Sequence, residues 1–191
     1  GVHRVALPGE RADVDVVDVV AALRGPQPER VGVQVHRDVR RLLERVPFEL
    51  TRAQERVWRE ISRDLRRAMP MQRLLQGDVG SGKTIVALHA IVMACGSGYQ
   101  AALMAPTEIL AEQHFITLSR WLASTRHRVA LLSGKITAAE RRTLLPSIER
   151  GDTRLVVGTH ALVQEQVRFR ALALVVIDEQ HRFGVLQRGM L

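Results

Sequence analysis

Short apolar runs alternate with helical patterns of ten or more residues from residue 47 onward, and this alternation limits the folds open to the chain. Several runs are apolar without alternation, which is typical of strands buried on both faces. Buried parallel strands need helical crossovers between them. The pattern therefore predicts an α/β fold, a three-layer sandwich with one open parallel sheet, in which ligands bind beyond the carboxyl ends of the strands. The predicted strands are 73–76, 101–105, 129–132, 155–158 and 172–177, and the predicted helices are 52–68, 83–97, 107–122 and 137–150.

Size and composition fit one globular domain with a small appendage. The chain has 191 residues, 46% of them hydrophobic and 25% charged, which argues against disorder. Its longest apolar runs are far shorter than the roughly 18 residues that span a bilayer, so we expect no transmembrane helix and no membrane partner. The first residues lack the pattern of a signal peptide, which favours a cytoplasmic location. Cys95 is the only cysteine, which excludes an intramolecular disulfide and a cysteine-based zinc site.

The first 46 residues differ from the rest in their pattern of apolar and charged side chains. Residues 14–23 alternate acidic and apolar side chains, and the sequence GPQP at 25–28 breaks that pattern. Residues 36–46 predict a short amphipathic helix that ends before Pro47. We interpret residues 1–46 as a linker or the remnant of a preceding domain, and residues 47–191 as the main domain.

The sequence GDVGSGKT at residues 77–84 matches the phosphate-loop pattern G-x-x-x-x-G-K-[ST] at every fixed position. Glycines let backbone N–H groups converge on phosphates, and the N-terminus of the following helix adds the positive end of its dipole. We predict that Lys83 reaches the β- and γ-phosphates of a nucleotide and that the Thr84 hydroxyl is a ligand of Mg²⁺. The predicted nucleotide-binding residues of this loop are Gly77, Asp78, Val79, Gly80, Ser81, Gly82, Lys83 and Thr84.

Two acidic residues follow the apolar run 172–177 and complete the predicted site. They emerge at the carboxyl end of a strand, where the phosphate loop also lies. We predict that Asp178 holds the Mg²⁺ shell and that Glu179 orients or deprotonates the attacking water. The two motifs together imply hydrolysis of a nucleoside triphosphate.

The net charge of +8 favours a polyanionic partner, because clustered arginines and lysines release counterions from a phosphate backbone. A solvated basic surface is the alternative interpretation of the same charge.

Five strings carry a resemblance to known proteins: PFELTRAQ, GDVGSGKT, APTEILAEQH, GTHAL and DEQHRFGVLQR. The DEQH box resembles that of superfamily-two helicases, which have a RecA-like fold. In this order and spacing, the strings resemble the first motor domain of the RecG family of ATP-dependent DNA helicases, which remodel branched DNA in recombination and repair. The resemblance covers residues 47–191. The transcription-repair coupling factor, a double-stranded DNA translocase, is the nearest alternative.

The resemblance implies further site residues. Gln54, with Phe48 upstream, would recognise adenine, since a carboxamide can donate to and accept from the adenine edge at once. Gln180 and His181 would sense the γ-phosphate. Contacts with the DNA backbone would come from loops at strand ends, without reading bases. The residues implied for these contacts are Pro106, Thr107, Ser133, Gly134, Gly158, Thr159 and His160.

In the family, a second motor domain follows and supplies arginine fingers. We therefore expect the isolated chain to bind ATP and Mg²⁺ weakly, to hydrolyse ATP very slowly, and to need the second motor domain of its full-length chain to unwind DNA. Two alternatives stay open: a nucleotide- or DNA-binding module without catalysis, and a phosphate-loop ATPase that moves something other than nucleic acid. Thr107 could equally be only the N-cap of its helix, and Gln54 a surface residue.

Overall fold

The computed structural model describes the backbone of residues 3–6 and 14–21, and the backbone and side chains of residues 49–67, 70–78 and 80–178. The described elements are seven strands, four α-helices and one short 3₁₀ helix. The strands are β1 (His3–Ala6), β2 (Val14–Ala21), β3 (Met71–Asp78), β4 (Gln100–Met104), β5 (Val129–Leu132), β6 (Leu155–Gly158) and β7 (Leu172–Asp178). The α-helices are α1 (Arg52–Asp64), α2 (Lys83–Gly96), α3 (Glu108–Leu122) and α4 (Ala138–Arg150), and the 3₁₀ helix is His160–Val163.

All seven strands belong to one sheet in the order β1-β3-β2-β7-β4-β6-β5. The pairs β4–β6, β4–β7 and β5–β6 are parallel, and helices connect them. The predicted α/β fold class is confirmed. The predicted parallel sheet of the main domain is also confirmed, and β2, which comes from the segment before residue 47 and was not predicted, runs antiparallel to both of its neighbours.

Strand β2 comes from the segment that we interpreted as a linker or remnant. It pairs with β3 from Val14 opposite Asp78 to Ala21 opposite Met71, and it pairs with β7 on its other side. Five of its eight residues are valines, which are β-branched and favour strands, so the sequence carries a signal for this strand. The division at residue 47 stays a prediction, and the predicted helix 36–46 lies outside the described residues.

The helices cover both faces of the sheet. Helices α1, α2 and α3 pack on one face, where Ala101 and Leu103 of β4 join their core. The next residues of the same strand, Ala102 and Met104, point to the opposite face and pack with Ile148 of α4. Because successive side chains of a strand point to opposite faces, an apolar run such as β4 requires helices on both sides.

Helix boundaries follow local capping chemistry. Thr51 and Thr137 form capping boxes with Gln54 and Glu140, and Gly151 ends α4 in a left-handed conformation with φ of 79°. Helix α1 ends at Asp64, four residues before the predicted end at residue 68. The Asp64 carboxylate accepts a bond of 2.7 Å from Arg73 Nε of β3. The other three predicted helices agree with the structure within one residue at each end.

Trp58 and Trp121 lie in the core, at 8% and 9% exposure. Trp58 stacks on His89 of α2 with ring centroids 4.1 Å apart. His89 Nε2 lies 2.8 Å from the Ser62 hydroxyl. Among the described residues, none of the helices is both long and apolar enough to cross a membrane.

The buried histidine predicts a pH-dependent stability. Burial, aided by nearby Arg66, lowers the pKa of His89 from 6.5 to about 4. The unfolded chain therefore binds a proton at this residue more readily than the folded one, so stability falls as the pH drops from 6.5 towards 4. The loss should reach about 3 kcal/mol at pH values near the folded pKa.

Urea unfolding at pH 7 and pH 5 measures the part of this loss that falls between those pH values, about 2 kcal/mol. His89→Gln, which cannot titrate, should show a smaller loss of unfolding free energy between the two pH values than the wild type. His160→Gln, at an exposed ring, should behave as the wild type. An equal loss in His89→Gln and the wild type would contradict the assignment.

Candidate functional site

The carboxyl ends of β3, β4, β5, β6 and β7 lie at one edge of the sheet, because these five strands run in the same direction. The phosphate-loop sequence begins with the last two residues of β3, and Asp178 ends β7. Val17 of β2 pairs with Leu75 on one side and with Asp178 on the other, so two strand spacings, roughly 10 Å, separate β3 from β7. The predicted phosphate and metal residues therefore share an edge.

The loop after β3 has the backbone that the glycines of its sequence predict. Gly80 and Gly82 have φ of 79° and 81°, values that favour glycine. Gly82 is the N-cap of α2, so no side chain caps the first turn of that helix, and the turn carries no acidic residue. A helix N-terminus with this character suits an anion.

The Lys83 ammonium is buried, with 7% of the residue exposed, and lies inside the loop. It donates to the carbonyl oxygens of Gly77 at 2.8 Å and Asp78 at 2.7 Å. The Ser81 hydroxyl is 3.4 Å away. A buried charge needs such partners, and carbonyl dipoles are weaker partners than the phosphate that the sequence predicts.

Gln54 reaches the same loop from α1. Its Nε2 donates to the Ser81 carbonyl at 2.8 Å, and its Oε1 accepts from the Thr51 amide at 2.9 Å. The residue is 5% exposed, which is incompatible with the alternative that it lies on the surface of its helix. Its role towards adenine stays a prediction.

Asp178 has an unpredicted partner in α3. Its Oδ2 lies 2.6 Å from His114 Nε2, and the two side chains are only 17% and 16% exposed. An ionised carboxylate only accepts hydrogen bonds, so the imidazole donates.

Glu108, in the first turn of α3, joins the loops that follow β5 and β6. Its Oε1 accepts from the Gly134 amide at 2.9 Å and from the Thr159 hydroxyl at 3.4 Å. Burial would raise the pKa of Glu108, but the hydrogen bonds from Gly134, Ser133 and Thr159 outweigh burial and lower it. The carboxylate is therefore held in its charged form.

The residues that the resemblance implies for DNA lie on these loops, but with unequal exposure. Thr107 is the N-cap of α3 and accepts from the Leu110 amide at 3.3 Å, which confirms that structural role. Gly134 and His160 are exposed, whereas Ser133 and Thr159 are 1% and 3% exposed. Gly158 is packed so closely that an added Cβ would lie 2.2 Å from the Leu132 carbonyl oxygen. Direct contact of the Thr159 hydroxyl with a phosphate would require Glu108 to release it, and contact of the Ser133 hydroxyl would require that buried side chain to become exposed.

Several predicted residues lie outside the part of the chain that the structure describes. These are Phe48, Val79, Glu179, Gln180 and His181.

The contacts of Glu108 and His114 were missed from the sequence, although both residues lie in the string APTEILAEQH. Their partners are 26 and 64 residues away in the chain, so local spacing carries no signal for them.

The residues present fit a nucleotide with Mg²⁺. The uncapped helix and the buried ammonium suit phosphates, and Thr84 and Asp178 supply the oxygen ligands that Mg²⁺ prefers. Within the described residues, no group of three or more His, Cys, Asp or Glu could hold a metal ion. Mg²⁺ commonly takes one or two protein ligands together with phosphates and water, so a larger cluster is not required.

The fold and this loop define an α/β domain of the phosphate-loop nucleotide-binding class. The sequence model of the DEAD/DEAH box helicase family matches residues 51–190. The chain therefore belongs to the DEAD/DEAH box helicase family.

Similar proteins confirm the resemblance to RecG. The chain is 52% identical over 153 residues to the ATP-dependent DNA helicase RecG of Aquifex aeolicus and 56% identical over 146 residues to that of Synechocystis. These matches cover 80% and 76% of this chain but 19% and 18% of the relatives. A solved structure of RecG bound to a three-way DNA junction matches with a TM-score of 0.67 and 39% identity, over 73% of this chain and 19% of that one. The chain thus spans about a fifth of the length of these relatives.

Gly82 provides a test of the phosphate loop. An added Cβ there would lie 2.3 Å from Gln54 Nε2, in addition to the strain of a φ of 81°. Gly82→Ala should therefore displace Gln54 and lower nucleotide affinity at least tenfold, measured with a fluorescent ATP analogue.

Gly98→Ala is the matched control, because Gly98 has a φ of 92° with nothing within 4 Å of an added Cβ. It should lose about 1–2 kcal/mol of stability and keep its nucleotide affinity. Equal nucleotide affinities for Gly82→Ala and the wild type would contradict the proposed loop geometry.

Proposed function

We propose that this chain is the ATP-binding motor lobe of an ATP-dependent DNA helicase that remodels branched DNA. The observation that carries the proposal is the shared edge: the phosphate loop, Asp178 and the loops after β4, β5 and β6 lie at the same end of one sheet. A motor needs its nucleotide and its track to contact the same rigid body. The similarity to RecG supports the choice of DNA as the track.

The residues at this edge would have distinct roles in binding and hydrolysing the nucleotide. Lys83 would exchange the carbonyl oxygens of Gly77 and Asp78 for nucleotide phosphates, with Thr84 and Asp178 as ligands of Mg²⁺. Mg²⁺ would neutralise charge that develops on the phosphates. Gln54 would recognise adenine with Phe48, and Glu179, Gln180 and His181 would act on the attacking water and the γ-phosphate.

The loops after β4, β5 and β6 would bind the DNA backbone. Gly134 and His160 are the exposed members of this set. Backbone N–H groups bind phosphate without reading bases, and the Gly134 amide would have to exchange Glu108 for a phosphate to do so. The second motor domain of the full-length protein would close on the nucleotide and complete the catalytic site. The domain division at residue 47 belongs to the same proposal.

A chimera tests the proposal. Residues 47–191 would replace the matching segment of Escherichia coli RecG, to which this chain is 53% identical over 148 residues. We expect the chimera to hydrolyse ATP with stimulation by a three-way junction, and the isolated chain to hydrolyse it very slowly. Lys83→Ala should lower the turnover of the chimera by about 10²–10³, the usual cost of removing a transition-state donor.

Arg59→Ala is the matched control, since Arg59 is exposed on α1 and forms only a surface pair with Glu55. It should leave turnover unchanged. A folded chimera that binds the junction but hydrolyses no ATP would favour the alternative of a binding module without catalysis. ATP turnover without stimulation by DNA would favour an ATPase that moves something other than nucleic acid.

A further inference from the structure

Helix α3 contacts both halves of the proposed site. Its first turn carries Glu108, which binds the Gly134 amide and the Thr159 hydroxyl. Six residues further on, less than two turns and about 9 Å along the axis, His114 binds Asp178. The helix therefore joins the loops after β5 and β6 to the carboxylate at the end of β7.

The contact between His114 and Asp178 limits where the carboxylate can point. An aspartate at a strand end can rotate about both of its side-chain torsions. A bond of 2.6 Å between two side chains that are each more than four-fifths buried restricts that rotation. A charge-assisted bond of this length belongs to the stronger class of hydrogen bonds.

The first turn of α3 is joined to the loops after β5 and β6. The Glu108 carboxylate accepts hydrogen bonds from the Gly134 amide in one loop and from the Thr159 hydroxyl in the other. One turn later, Glu112 pairs with Lys135 at 2.9 Å, so a second contact joins α3 to the loop after β5. A shift of these loops would therefore move α3, and with it the partner of Asp178.

We propose that His114 is a positioning residue of the ATP site, which orients the Asp178 carboxylate towards Mg²⁺ and makes that orientation depend on α3 and the loops held by Glu108. This inference rests on the proposed function of the site. His114 is not proposed to contact the nucleotide, because it acts through Asp178.

Mg²⁺-dependent nucleotide binding by this chain is the first test. The fluorescent ATP analogue is titrated at increasing Mg²⁺ and, separately, in EDTA. His114→Ala should raise the Mg²⁺ concentration for half-maximal binding at least fivefold and leave the affinity in EDTA unchanged. His114→Gln, whose Nε2 can replace the imidazole donor, should restore most of the Mg²⁺ dependence.

Gln113→Ala is the matched control, since Gln113 is the exposed neighbour on the same helix. Thermal unfolding of each variant separates a loss of fold from a loss of Asp178 orientation. If His114→Ala does not fold, His114→Gln is compared with the wild type instead.

An unchanged Mg²⁺ requirement in His114→Ala would overturn the proposal. So would tighter Mg²⁺ binding, which would mean that His114 competes with the metal. A wild-type chain that binds no nucleotide in Mg²⁺ would overturn the proposed function as well.

The dependence on the loops is tested in the chimera. If the DNA-binding loops are coupled to the ATP site, the three-way junction should lower the Mg²⁺ concentration for half-maximal nucleotide binding at least fivefold. His114→Ala and Glu108→Ala should each abolish this shift. A full shift in His114→Ala, measured with the same junction, would overturn the coupling.

Discussion

Burial of helix α2 against the sheet is the constraint on which the site depends. Nearly all of its residues, from Lys83 to Gly96, are buried, and the helix contacts β3, β4 and β7. A helix that is apolar all round can lie only in a core. Because α2 starts at the phosphate loop, its burial holds the N-terminus of the helix and the Lys83 ammonium at the carboxyl edge of the sheet.

Charges at this edge are held by dipoles and by short polar contacts. Lys83 is bound by two loop carbonyls, Glu108 by an amide and a hydroxyl, and Asp178 by an imidazole. The hydrogen bonds to Glu108 lower the pKa of its carboxyl group despite burial. These partners belong to different strands and helices, so a change at one loop would be transmitted by rigid elements to the next.

Local chemistry explains what could be predicted. The strand bounds of β5 and β6 agree with the prediction, and the threonine caps before α3 and α4 mark the starts of those helices. The glycines of the phosphate loop have the positive φ that the pattern requires. Strand β2 was not predicted, since its pairing with β3 and β7 joins residues at least fifty positions apart. The prediction for Gln54 identified the residue but not its bond to the Ser81 carbonyl.

The sequence by itself determined the α/β class, the phosphate loop and the edge of the sheet at which the site lies, because apolar periodicity and backbone conformation are properties of neighbouring residues. Only the tertiary structure decided that Ser133 and Thr159 are buried, that Glu108 binds the Gly134 amide and the Thr159 hydroxyl, and that His114 binds Asp178. Those contacts depend on which loops become adjacent when β4, β6 and β5 pair in that order. The order of strands in a sheet is set by the packing of the whole domain, so no single segment encodes it.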